Sequence, residues 1–60
     1  MNVELIKPIL KSIIADTKEL TKLTRNREAA QQKRFTILGY LQGIEFNTKR
    51  LRKLVSHHSE

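Results

Sequence analysis

Apolar and threonine residues recur along the first half of the chain at Ile6, Ile9, Leu10, Ile13, Thr17, Leu20 and Thr24, with Ile14 and Leu23 beside them. An α-helix turns through about 100° per residue, so steps of three and four put these positions on one side. Pro8 is tolerated best in a first turn, which predicts that helix 1 begins near Leu5 to Pro8 and spans about 5–24. The stripe fades between Thr24 and Glu28, where Asn26 can cap a second helix with its side-chain oxygen. A turn over about 25–27 follows from this. The helix-forming run from Glu28 to Gln32 straddles that turn, so one long bent helix is the alternative.

Helix 2 is predicted over about 28–56, with a stripe at Ile37, Leu41, Ile44, Thr48, Leu51 and Val55. Asn47 and Thr48 are poor mid-helix residues and good caps, and a break there would leave a short third helix from Lys49 to His57. The fold class is therefore all-α: one domain spanning residues 1–60, folded as an antiparallel helical hairpin.

A second set, Phe35, Gly39, Gly43 and Phe46, falls on nearly the opposite side of helix 2 from that stripe. One stripe suffices for a hairpin, so the second asks for another molecule. Gly39 and Gly43 stand one turn apart, where missing side chains let two backbones approach closely. Each also costs about 1 kcal/mol relative to alanine inside a helix. Phe35, Gly39, Gly43, Phe46 and Leu54 are accordingly expected to form a homodimer seam, closing two hairpins into a four-helix assembly, or to meet a partner protein. The alternative is that the glycines mark a kink, a bulge or a helix end.

Length sharpens the argument for association. A chain of 60 residues buries only a modest share of its surface, and it contains no cysteine for disulfides or thiolate metal sites. Absence of cysteine fits a reducing cytoplasm, which is the expected location. The stretch from Val3 to Ala15 is too short and too charged to span a bilayer, and no targeting segment is visible.

Charge then bears on the partner. Lys+Arg 12 against Asp+Glu 6 gives a formal charge of +6, which favours nucleic acid, an acidic protein surface or anionic lipid. On helix 1, Lys7, Lys11, Lys18, Lys22 and Arg25 fall within a sector of roughly 60° opposite the apolar stripe. Helix 2 carries Lys33 and Arg34, then Lys49, Arg50, Arg52 and Lys53 around Leu51. Cations near a helix C-terminus suit the macrodipole, but this cluster exceeds what the dipole calls for. Phosphate contacts from it would be sequence-independent and salt-sensitive. Lys49, Arg50, Arg52 and Lys53 are the leading candidates, with Lys18, Lys22, Arg25, Lys33 and Arg34 assisting.

The segment Asn26-Arg27-Glu28-Ala29-Ala30-Gln31-Gln32-Lys33-Arg34 resembles the basic region of leucine-zipper transcription factors, with Asn26, Ala29, Ala30 and Arg34 in the matching places. Lys33 replaces the usual small residue, and the following zipper positions fall on Gly43, Arg50 and His57, so no zipper follows. The expected architecture also resembles the small plasmid-encoded hairpin dimers that bind RNA, a likeness of fold without a shared motif.

Nothing in the sequence assembles a catalytic site. Ser56-His57-His58-Ser59-Glu60 holds the letters of a triad, but contiguous residues at a terminus cannot converge on one atom. Adjacent histidines diverge by roughly 100° on a helix, which disfavours a metal site. Asp16 lies toward the apolar stripe and is expected to play a structural role, with Arg27 or Lys33 as possible ion-pair partners across the hairpin. The sequence thus predicts a non-catalytic, dimeric helical regulator without cofactor or metal, binding nucleic acid through basic faces. The alternative is a small inhibitor or adaptor docking on a protein through the Phe35/Gly39/Gly43/Phe46 face. A weaker third reading lays helix 1 on a membrane surface.

Overall fold

A computed structural model describes residues 1–57 as three helices: α1 (Val3–Leu23), α2 (Arg27–Gln32) and α3 (Arg34–Ser56). Helix α1 starts two residues earlier than the apolar stripe suggests. Asn2 adopts an extended backbone, and its side-chain oxygen accepts from the N–H groups of Glu4 and Leu5 at 3.1 and 3.3 Å. Those bonds satisfy donors that an uncapped end would leave open. Pro8 consequently sits in the second turn rather than the first, where its missing N–H leaves one helical bond unmade.

The chain reverses at Thr24–Asn26 without a positive φ at any described residue. Asn26 caps α2, accepting from Glu28 N–H at 2.9 Å and Ala29 N–H at 3.2 Å. The helical path then bends at Lys33, whose ψ of 23° departs from the helical value while its N–H is shared between Ala29 and Ala30 carbonyls. Ile37 N–H still donates to the Lys33 carbonyl at 3.0 Å, so hydrogen bonding runs through the bend. Beyond it α3 is unbroken. The third helix thus comes from a bend at Lys33 and not from a break after Asn47, which lies within α3 and accepts a bond from the Arg50 guanidinium at 3.3 Å. Thr48 is likewise accommodated, because its hydroxyl donates to the Ile44 carbonyl at 2.7 Å.

Helices α1 and α3 pack along their lengths as an antiparallel hairpin, and α2 forms a small lead-in at the turn end. Their seam holds Ile6, Ile9, Ile13, Asp16, Leu20 and Leu23 against Ile37, Tyr40, Gly43, Ile44, Asn47, Leu51 and Leu54. Among the described residues only Ile9 is buried, at 4% exposure. The Cα radius of gyration is 14.2 Å, against about 10.4 Å for a compact domain of this length. The molecule is a two-helix rod with a seam rather than an enclosed core.

The seam on α3 is turned away from the stripe the spacing suggests. Tyr40, Gly43, Asn47 and Leu54 replace Leu41, Thr48 and Val55, which stay exposed. Gly43 lets α1 come close: a Cβ built there would stand 3.1 Å from Asp16 Oδ2. Asp16 therefore faces Gly43. Among the described residues the ion pairs are Glu4–Lys7 and Glu19–Lys22, and neither Arg27 nor Lys33 pairs with Asp16.

Candidate nucleic-acid interface

The cations occupy three surfaces. On α1, Lys7, Lys11, Lys18 and Lys22 are all exposed on the side directed away from α3. Lys7 reaches Glu4 at 3.9 Å and Lys22 reaches Glu19 at 3.5 Å, both in solvent, where such contacts contribute little. Lys11 and Lys18 have no acidic contact among the described residues.

On α3, Lys49, Arg50, Arg52 and Lys53 span the half of the helix turned away from the seam. They do not form a single row. Lys49 and Lys53 point outward, and Arg50 and Arg52 lie on opposite flanks. Arg50 packs its guanidinium 5.7 Å from the Phe46 ring centre and donates to Asn47, which pre-orients it.

The third surface was not legible as a unit. Arg25, Arg27 and Arg34 come from the turn, from the first residue of α2 and from the first residue of α3, and together with Thr24, Ala30 and Gln31 they line one open depression. No acidic side chain takes part in that lining. Arg25 and Arg34 stand among the sequence candidates and Arg27 does not. Their grouping depends on the turn expected at Asn26 and on the bend at Lys33, and spacing offers no signal for the bend. Lys33 is exposed at the bend itself. The leucine-zipper comparison fails structurally at the same place, since Asn26 ends the turn and Lys33 interrupts the helix that a basic region would need.

The group Phe35, Gly39, Gly43, Phe46 and Leu54 is divided. Phe35 is 74% exposed and Phe46 62% exposed, and nothing lies within 4 Å of a Cβ built at Gly39. Gly43 and Leu54, by contrast, belong to the seam between α1 and α3. The close approach attributed to both glycines therefore occurs at Gly43 alone, and its object is Asp16 of the same chain. Arg34 stands 5.1 Å from the Phe35 ring centre, so each exposed phenylalanine carries a neighbouring arginine.

Among the described residues no group of three His, Cys, Asp or Glu side chains could hold a metal ion, and no helix is long and apolar enough to cross a membrane. The contiguous Ser56–Glu60 set lies partly outside the described residues. No family model, no curated protein and no solved structure matches the chain.

Proposed function

We propose that the protein is a small, non-catalytic, self-associating helical regulator that holds the backbone of a nucleic acid through its basic surfaces. The observation that carries this reading is the convergence of Arg25, Arg27 and Arg34 on one open depression with no acid in its lining. Guanidinium forks match phosphate oxygens in pairs, and three arginines along one open depression suit a phosphate backbone. The lysine face of α1 and the Lys49–Lys53 cluster extend the positive surface along the rod, and the formal charge of +6 favours encounter with a polyanion. Contacts of this kind fix position without reading sequence.

The test is fluorescence anisotropy with labelled random-sequence RNA and DNA duplexes across a salt series. Binding should weaken steeply with salt, with a log–log slope near −0.9 per phosphate contact. Replacing Arg25, Arg27 and Arg34 together by glutamine should lower affinity by at least about tenfold and flatten that slope by about 2–3. Replacing Lys49, Arg50, Arg52 and Lys53 together should do the same with helix content retained. No binding to either duplex at low salt would remove the reading.

The exposed phenylalanines support a second one. Phe35 and Phe46, each beside an arginine, present aromatic surface of the kind that anchors protein partners. The protein would then be an adaptor or inhibitor, and charge substitutions at those two rings would abolish its function while the arginine variants would not.

A further inference from the structure

Each long helix carries its apolar stripe off-centre from its hairpin partner. In α1 the half-buried residues centre about 55° around the helix from the middle of the stripe between Ile6 and Thr24, and in α3 the offset from the Ile37–Val55 stripe is about 60°. The helices run antiparallel, so helical angle increases in opposite senses when both are viewed from one end. Offsets of the same sign therefore carry both stripes to the same flank of the hairpin. The other flank is the one where Leu5, Ile9, Arg50 and Leu54 line a shared depression. On the stripe flank stand Leu10, Ile14 and Thr17 of α1 with Leu41, Thr48 and Val55 of α3. Leu10 is 44%, Ile14 54%, Leu41 47% and Val55 45% exposed.

A helix with one neighbour aims its stripe at that neighbour. In a four-helix bundle each helix has two neighbours nearly at right angles, and the stripe aims between them, roughly 45° from either. The offsets here fit the second geometry in both helices at once. The threonines fit it too. Thr17 and Thr48 donate their hydroxyls to the Ile13 and Ile44 carbonyls at 2.8 and 2.7 Å, so burying them strands no polar group.

We infer that this flank is the contact surface for a second copy of the chain, two hairpins closing into a four-helix bundle. Area supports a copy of this size. The chain exposes 5116 Å², whereas a compact 7.0 kDa monomer exposes roughly 4,000 Å². The excess, about 1,000 Å², is close to the ~800 Å² that one partner covers in a standard interface. A second hairpin also supplies a two-helix layer of the same length and offset, which is the missing half of the bundle. Charge on this flank is light: the α1 lysines are directed away from α3, and Arg52, which lines a depression with Thr48 and Val55, borders the contact surface. The inference rests on and deepens the self-association part of the proposed function, places it on a different face from Phe35 and Phe46, and is tested without nucleic acid.

Light scattering of the full chain without nucleic acid tests it. The wild type should show twice the 7.0 kDa chain mass. Ile14→Glu and Leu41→Glu should each weaken the dimer at least tenfold, while Phe35→Glu and Phe46→Glu should leave its mass unchanged. Should the glutamate variants lose their helices along with the dimer, a spin label at Glu45→Cys, on the rim of the flank in a chain without cysteine, gives a second measurement. With packed helix axes 8–10 Å apart, the two labels should lie within about 25 Å of each other. A folded wild-type monomer at millimolar concentration, a dimer split by the phenylalanine variants, or labels beyond about 40 Å would overturn the inference.

Discussion

Gly39 and Gly43 stand one turn apart on α3, yet the space around them differs completely. A Cβ at Gly39 meets nothing within 4 Å, and one at Gly43 comes to 3.1 Å from Asp16 Oδ2. Neither glycine needs a positive φ. Alanine at position 39 should therefore recover the helix propensity that glycine lacks, stabilising by about 0.5–1 kcal/mol. Alanine at position 43 should gain less, because the Asp16 carboxylate must give by a few tenths of an ångström. Gly43→Leu should destabilise by about 1–3 kcal/mol, since the helices would have to part. Urea denaturation at one fixed protein concentration reads all three. A destabilising Gly39→Ala would mean that another backbone approaches α3 at that point, as the sequence pattern suggests. Position 43 is where the structure locates the close contact, and a carboxylate rather than a second molecule occupies it.

At the scale of elements, end chemistry sets where helices begin. Asn2 and Asn26 each accept two backbone N–H groups, whereas α3 starts at Arg34 without a side-chain cap because the hydrogen-bonded path from α2 runs on through Lys33. Helix α2 is only six residues long and too short to persist by propensity. Its place depends on the Asn26 cap and on half-buried Ala29 and Ala30. Asn26→Ala should cost about 1 kcal/mol and speed amide exchange at Glu28 and Ala29. The same change should loosen the Arg25/Arg27/Arg34 depression and weaken duplex binding, although it removes no charge. Equal binding by Asn26→Ala and wild type would show that those arginines need no fixed arrangement.

Taken whole, the rod buries Ile9 alone among the described residues, and its radius of gyration is well above that of a compact domain. A seam this shallow leaves little margin over the entropy of ordering the chain. If a second copy covers the stripe flank, folding and assembly are linked, and the melting temperature should rise by a few degrees for each tenfold increase in protein concentration. Ile14→Glu should melt at a lower temperature that does not move with concentration. A wild-type melting temperature independent of concentration would describe a hairpin that is stable alone. In either state the lysine face of α1 remains outward, so duplex binding and assembly can be measured separately.

The all-helical class, the two long helices and the turn at Asn26 were legible in the sequence, because three-and-four spacing and a capping asparagine are local properties, whereas the bend at Lys33 was not. It also determined the stripe of each helix and the basic composition of their outer faces. What it could not determine was how each stripe is shared. Helical spacing defines the angular centre of the apolar residues, but the direction of the neighbouring helix depends on which side chains let the axes come close. Here Gly43 facing Asp16 turned the seam toward Tyr40, Asn47 and Leu54, leaving Leu41, Thr48 and Val55 outside. The grouping of Arg25, Arg27 and Arg34 was likewise decided in three dimensions, since the bend at Lys33, added to the turn at Asn26, sets all three along one open depression.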